Sequence, residues 1–243
     1  MNKRREMPPR VNFSDELSDI IRTERLFPEL LSLAPREDSA DASQSTKDDP
    51  SRHLAEILIE YKTPIDAIRD IETIIGRLIH LLDREEFREI SQGVFISRRA
   101  VISPSAEIIA PAVIMEGAEL RHSAYIRGKV IIGKGALIGN SSEVKSSIIL
   151  DGAKLPHFNY VGDSIIGYRA HLGAGAIISN LRSDKEDVTL KLRDVKYPTF
   201  MHKLGALVGD ESEIGCGAVL NPGTVIPAHT TVRPNSSISG ILS

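Results

Sequence analysis

A single cysteine, no tryptophan and aromatics at only 5% of 243 residues leave this chain without several common scaffolding devices. Cys216 has no intrachain partner for a disulfide and, with no second thiol, makes a poor zinc ligand; it reads as a small residue in a coil. An excess of one charge is missing too. The 30 Lys and Arg face 33 Asp and Glu, a net charge of -3, and no basic stripe interleaved with aromatics offers itself to nucleic acid. No run of about 18 apolar residues is present to span a bilayer. The N-terminus, MNKRREMPPR, is followed by the mixed VNFSDELSDI rather than the apolar core of a secretory signal. A soluble, cytoplasmic setting with neither membrane nor nucleic acid as partner is therefore expected.

What the chain does hold comes in three parts. In residues 1–50, Leu17, Ile20, Ile21, Leu26, Leu30 and Leu31 fall at roughly helical spacing after Ser14, a plausible N-cap, so a short helix or two is predicted. From Ala34 to Asp49 the composition turns to Ser, Asp, Ala, Pro and Lys, with too little apolar surface to offset ordering entropy, which predicts a disordered linker. Over residues 51–94 helical periodicity resumes in Ser51–Tyr61 and Pro64–Arg84, with Ile65, Ile68, Ile71, Ile75, Leu78 and Leu82 along one face. These two helices are expected to cap the open end of the strand-rich third part, because a stack of strands needs its terminal edge covered.

That third part, residues 95–243, carries the strongest pattern. Every sixth residue from Ile102 is aliphatic: Ile108, Ile114, Leu120, Ile126, Ile132, Ile138, Val144 and Leu150 come in turn without a miss. With roughly a quarter of residues Ile, Leu or Val, nine hits in one phase have a chance probability on the order of 10⁻⁵. The series restarts at Tyr160, Ile166, Leu172 and Ile178, and again at Val208 through Ile214, Leu220, Ile226, Val232 and Ile238. A small residue commonly stands four places later, as at Ala112, Ala118, Ala124, Ala136, Ala170, Ala176 and Ala218. Six residues fit no helix face, since six steps turn a side chain about 120° away. They fit short strands wound into a triangular coil, three hexads to a turn, with the aliphatic and small residues inside. About six turns at roughly 4.8 Å each are expected, a parallel β-helix behind an N-terminal α-helical segment. The pattern leaves handedness open.

Two interruptions break the count. Asp151–Asn159 shifts the phase by four and contains His157, which reads as a bulge leaving the regular wall. Ser179–Lys203 ejects a polar stretch, and long excursions from a solenoid commonly serve binding or assembly. Arg127 and Lys145 lie eighteen apart, one coil, so they stack on one face. With no obvious acidic neighbour on that line they would repel unless an anion such as phosphate sat between them. Two solvated surface charges would show the same spacing. His157, twelve residues after Lys145, has the imidazole chemistry of a general base, and an idle loop histidine looks no different in sequence.

The run GNSSEVKSSIILDGAKLPHFNYVGD at Gly139–Asp163, with GAGAIISN at Gly173–Asn180, resembles the acetyltransferase domain of the bifunctional N-acetylglucosamine-1-phosphate uridyltransferase/glucosamine-1-phosphate acetyltransferase. SNLRSDKEDV and KLGALVGDESEIGCGAVLNPGTVI resemble the archaeal, sugar-nucleotidyltransferase-related branch. The H-x-x-Y-x-G-D element is more specific than generic hexads. The resemblance implies a left-handed β-helix, a homotrimer, and acetyl-CoA-dependent N-acetylation of an amino-sugar 1-phosphate. Residue by residue, it implies that His157 is the general base, that Arg127 and Lys145 hold the sugar phosphate, that Tyr160 lines the sugar and that Asn180 stands at the mouth of the inserted loop. Acetyl-CoA would lie along Lys203, Gly205 and Ala206. His171 stands where most relatives carry an Asn touching the sugar's nitrogen substituent; an outward polar residue of a coil would look the same. The nucleotidyltransferase domain that precedes the β-helix in relatives has no counterpart in residues 1–94. A non-catalytic trimeric scaffold that partners a separate nucleotidyltransferase is the alternative. A trihistidine metal enzyme built on His122, His157 and His171 lacks the expected close spacing.

Overall fold

The computed structural model describes residues 13–33 and 49–242. Of the expected linker Ala34–Asp49, residues 34–48 lie outside the described residues, and Asp49 caps the helix that follows, its side chain accepting from Ser51 N. The third part is a left-handed parallel β-helix of about eight turns, more than the six expected. Its three faces are parallel sheets. The first face stacks Val94–Ser97, Ala112–Ile114, Val130–Ile132, Ser147–Ile149, Ile165–Ile166, Ala206–Val208 and Thr224–Ile226. The second includes Leu137–Asn140, Lys154–His157, His171–Leu172 and Glu213–Ile214. The third includes Glu107–Ile109, Tyr125–Arg127, Glu143–Lys145, Tyr160–Gly162, Ile177–Ile178 and Val219–Leu220. Inside, Ile114, Leu120, Ile126, Ile132, Ile138, Val144, Ile166, Leu172, Ile178, Val208, Ile214, Leu220 and Ile226 form one buried column with the predicted alanines.

The interruption at Asp151–Asn159 proves to be regular coil. Turns are eighteen residues long where Ile126 pairs with Val144, but seventeen where Ile131 pairs with Ile148 and Val144 with Val161. The offset of four is two single-residue deletions, at the corners Lys145–Ser147 and Gly162–Ser164. At both corners one left-handed residue, Ser146 (φ 46°) or Asp163 (φ 49°), makes the bend. The next serine closes it. Ser147 Oγ donates to the Lys145 carbonyl (2.7 Å) and accepts from Ser164 N (3.1 Å); Ser164 Oγ donates to the Gly162 carbonyl (2.7 Å) and accepts from Ala206 N (3.0 Å). Two expected inward residues are thereby displaced. Ile149 fills the column in place of Leu150, and Val161 in place of Tyr160. Leu150 is buried against the outer cluster instead.

The described residues of the N-terminal part form six short helices: α1 (Asp15–Ile20), α2 (Thr23–Leu26), α3 (Pro28–Leu33), α4 (Pro50–Ile59), α5 (Pro64–Arg69) and α6 (Ile71–Leu81). Ser14 caps α1 through Leu17 N, as expected, while the predicted helix over Pro64–Arg84 is broken at Asp70. These helices do not cap the open end. Ile102, Ile108 and Ala106 of the first turn remain only partly buried, and the edge of the first face is covered by Phe87–Ser91, antiparallel to Val94–Ser97. The helices lie along the side of the prism instead. The outward residues of the first face, Phe95, Val113, Ile131, Ile148, Ile165, Leu207 and Val225, form one buried cluster with Leu17, Leu26, Leu54, Ile57, Ile74 and Leu78. On that face apolar residues point both ways, as in any sheet covered on both sides.

The excursion Ser179–Lys203 contains an antiparallel hairpin, Val188–Leu192 with Val195–Met201. Its apolar residues Val188, Leu190 and Leu192 join the same outer cluster of this chain, and Arg69 donates to the Thr199 carbonyl at 2.8 Å. A second tie holds the N-terminal helices to the coil. Asp210 is fully buried; its carboxylate accepts from Glu29 N at the start of α3 (2.9 Å) and from Tyr168 N (2.7 Å). Burial raises its pKa to about 6, against these two donors, which lower it.

Two outcomes are expected of this architecture. Ile148→Ala and Ile149→Ala should each cost about 2–5 kcal/mol in urea denaturation although the side chains point to opposite sides of one strand; an uncovered outer face would leave Ile148→Ala nearly neutral. Because Asp210 binds its proton more tightly folded than unfolded, its contribution to stability is full below pH ~4, the unfolded carboxyl value, and is lost as pH rises through about 6. The difference in urea midpoint between pH 4 and pH 7 should shrink in Asp210→Asn.

Candidate functional site

The third face brings most of the expected site residues onto adjacent strands. Glu143 pairs with Tyr125 in register, which sets Lys145 beside Arg127, and Lys145 pairs with Gly162. The two cations are not free of carboxylates as expected. Arg127 donates to Glu143 Oε1 at 2.6 Å on the open surface. Lys145, with 19% of its side chain exposed, donates to Asp163 Oδ2 at 3.2 Å, and the Asp163 side chain is only 14% exposed. Asp163 lies eighteen residues after Lys145, the step that separates Lys145 from Arg127, so the same count that stacks the two cations also reaches this carboxylate. In the seventeen-residue turn Gly162 is in register with Lys145 and Asp163 follows it at the corner.

Asp163 Oδ2 also accepts from Asn180 Nδ2, and Asn180 Oδ1 accepts from the Tyr160 hydroxyl at 3.3 Å. Lys145, Asp163, Asn180 and Tyr160 thus form one hydrogen-bonded chain, with Asn180 buried. Gly162 makes room for it. A Cβ there would stand 2.6 Å from Asn180 Nδ2 and 2.8 Å from the Tyr160 hydroxyl, which accounts for the glycine of the H-x-x-Y-x-G-D element. The Tyr160 phenol is pushed above its ordinary value, first by desolvation and then by the negative charges of Glu143 and Asp163.

His157 ends the strand Lys154–His157 on the second face, pairs with Asn140 and turns the corner toward Tyr160. It is exposed, and its ring has no hydrogen bond or ion pair among the described residues. The corner beneath it is tightly held by a residue the sequence reading missed. Buried Asn159 accepts from His157 N (3.1 Å) and donates to the carbonyls of Gly173 (2.8 Å) and Ala176 (3.3 Å). Phe158, beside it, is exposed with φ 53°. His171 sits on the second face with Nδ1 2.8 Å from Glu213 Oε2, a partner that leaves it apart from the Tyr160–Asn180 chain. His122 bonds Ser105, and among the described residues no three His, Cys, Asp or Glu side chains are grouped to hold a metal ion.

Lys203 is exposed where the hairpin returns to the coil. Gly205 and Ala206 are interior: the Gly205 amide donates to the Asp163 carbonyl at 2.9 Å, its missing Cβ would collide with the Gly162 carbonyl and Ser164 Oγ, and Ala206 N is committed to Ser164 Oγ. Neither amide is free to meet a ligand, contrary to the expected close approach at Gly205. No helix among the described residues is long and apolar enough to cross a membrane. A cavity of about 200 Å³ lined by Leu30, Leu54, Leu150, Asp151 and Tyr168 lies between the helices and the coil, at a different corner of the prism from His157.

Comparison with known proteins places these residues in context. Residues 108–241 match the family described as GMPPB C-terminal domain. The "Bifunctional protein GlmU" of Methanococcus vannielii is 40% identical over 112 residues, covering 46% of this chain and 27% of that protein. The "Bifunctional sugar-1-phosphate nucleotidylyltransferase/acetyltransferase" of Sulfurisphaera tokodaii is 31% identical over 168 residues, 67% of this chain and 42% of that one. The chain therefore spans well under half the length of these curated relatives. A solved acetyltransferase domain of PglB from Neisseria gonorrhoeae, in complex with acetyl coenzyme A, is 18% identical with a TM-score of 0.31, covering 71% of this chain and 63% of that one.

Gly162→Ala should leave the melting temperature within a few degrees of wild type, since the colliding atoms are side-chain ends. It should move the Tyr160 phenol back toward its ordinary titration, read by ultraviolet difference absorbance; an unchanged titration would mean that Asn180 and Tyr160 do not share the space above Gly162.

Proposed function

The chain belongs to the GMPPB C-terminal domain family, and from that premise we propose that it is a cytoplasmic, acetyl-CoA-dependent N-acetyltransferase acting on an amino-sugar 1-phosphate such as glucosamine 1-phosphate. The observation that carries this reading is the chain Lys145–Asp163–Asn180–Tyr160 on one face, with an unpartnered imidazole at the adjoining corner. Lys145 and Arg127 supply the cations for a sugar phosphate. Tyr160 and Asn180 supply donors and acceptors for sugar hydroxyls. His157 accepts the proton as the amine nitrogen bonds to the thioester carbonyl carbon, the C–S bond breaks, and the proton passes to the departing thiolate, giving the amide and free coenzyme A. Among the described residues no Ser or Cys is hydrogen-bonded to the His157 ring as a nucleophile would be, so direct transfer is proposed rather than an acyl-enzyme. Lys203 offers an ammonium to the phosphates of acetyl-CoA. Assembly as a homotrimer belongs to this proposal and rests on the family resemblance, with two faces of the prism left uncovered by the helices.

One observation favours the scaffold reading. Both cations are already ion-paired, so a phosphate must share or displace a carboxylate. A thiol-release assay with acetyl-CoA across amino-sugar phosphates separates the two. With glucosamine 1-phosphate, His157→Ala should lower kcat by roughly 10²–10⁴-fold without moving the melting temperature, because the side chain is exposed and fills no core. Lys145→Ala should raise KM for the sugar phosphate by about 10- to 100-fold, the range of a charge-assisted hydrogen bond, and leave KM for acetyl-CoA unchanged. No thiol release with any amino-sugar phosphate would overturn the enzyme reading in favour of the scaffold.

A further inference from the structure

We propose that Asp163 is the positioning residue of this site: one carboxylate that holds the phosphate-binding ammonium of Lys145 and the sugar-binding amide of Asn180 in fixed relation. This rests on the proposed function for the identity of the ligand, and on geometry for everything else.

Asp163 touches every part of the site that has to be held. Its side chain accepts from Lys145 Nζ and from Asn180 Nδ2, and through Asn180 it orders the Tyr160 hydroxyl. Its backbone N–H donates to the Lys145 carbonyl at 2.9 Å and its carbonyl accepts from Gly205 N at 2.9 Å, while the Asn180 carbonyl accepts from Leu204 N at 3.0 Å. Asp163 and Asn180 are therefore among the points at which the coil receives the hairpin's return. The left-handed backbone at Asp163 (φ 49°) belongs to one of the two shortened corners, and Asp is among the few residues that take this conformation readily. A carboxylate is the fitting group: it is acceptor-only, so both neighbours must point their N–H donors at it, and this leaves the Asn180 carbonyl oxygen directed to Tyr160. A long, flexible ammonium such as Lys145 otherwise spends its rotamer freedom on each binding event.

The test uses the full chain with two variants, Asp163→Asn, which keeps the left-handed backbone and one acceptor, and Asp163→Gly, which adopts that backbone freely and removes the carboxylate. The first measurement needs no substrate: acetylation of Lys145 by N-hydroxysuccinimidyl acetate, scored by peptide mass spectrometry against exposed Lys154. Labelling of Lys145 should rise about fivefold or more in both variants as the ammonium loses its partner and its shelter; unchanged labelling overturns the assignment. The second is calorimetric titration with glucosamine 1-phosphate and, separately, coenzyme A. Affinity for glucosamine 1-phosphate should fall roughly 10- to 100-fold in Asp163→Asn, affinity for coenzyme A should not move, and adding the change to Lys145→Ala should cost almost nothing further, the non-additivity of groups acting as a unit. Tighter binding in Asp163→Asn would make Asp163 a competitor of the phosphate, and full additivity would make it a merely structural residue; either overturns the proposal. If wild type binds no glucosamine 1-phosphate, the ligand reading fails and the proposal with it, a failure told apart by Lys145 labelling that still responds to Asp163.

Discussion

Each coil must return directly over the one before, because most of its backbone N–H and C=O groups find their partners on its neighbours. Everything else in the molecule accommodates that constraint. It selects a column of Ile, Val and Leu against small residues inside, and it fixes which surface residues meet. A change of one residue in coil length would ordinarily rotate the interior pattern out of phase. Here two such changes are absorbed at Ser146 and Asp163, where a left-handed residue tightens the bend and the next serine supplies the hydrogen bonds the shortened corner needs. Ser147 and Ser164 stack, each hydroxyl serving its own turn and the next.

The three faces are not equivalent. The first carries Val113, Ile131, Ile148, Ile165, Leu207 and Val225 outward, an apolar strip that no solvated solenoid face could present, and the N-terminal helices with the hairpin bury it in a cluster as continuous as the interior column. Asp210 and the Arg69–Thr199 bond supply polar ties between the layers. The helices therefore belong to the same cooperative core as the coil, and a change on either side of the first face should be felt by both. Polar chemistry is left to the second and third faces.

On the third face the balance of charge is close. Arg127 faces Glu143 and Lys145 faces Asp163, so the surface that resembles a phosphate site in its cations is neutral as it stands. The two pairs differ in kind. Arg127–Glu143 is solvated and screened, and such pairs contribute about 0–1 kcal/mol. Lys145–Asp163 is sheltered and shared with Asn180, so it resists rearrangement and orders its neighbours. An incoming anion would exchange the first pair readily and exploit the second.

The hexads from Ile102 onward were legible because period six has one geometric solution, and the inward positions of Ile166–Ile178 and Val208–Ile238 come from it directly. The capping role of Ser14 was equally local, as was the start of a helix at Pro64. The phase shift was visible only as a net offset of four: sequence counts residues between matches and cannot say at which corners they were lost, so Leu150 and Tyr160 were assigned inward and His157 was assigned to a bulge. Alternating pairs such as Ile148–Ile149 and Ile165–Ile166 did carry a sign that one face was covered on both sides, and it pointed to where the helices belong. Within the Lys145–Asp163–Asn180–Tyr160 chain the eighteen-residue step from Lys145 to Asp163 was legible, whereas the links of Asn180 to Asp163 and Tyr160 depend on coil length and corner geometry. Local periodicity determined the architecture of this protein and set Asp163 on the line of Arg127 and Lys145; the hydrogen bonds that join Asp163 to Asn180 and Asn180 to Tyr160 were decided by the tertiary structure, because they cross between coils at corners whose geometry no local pattern contains.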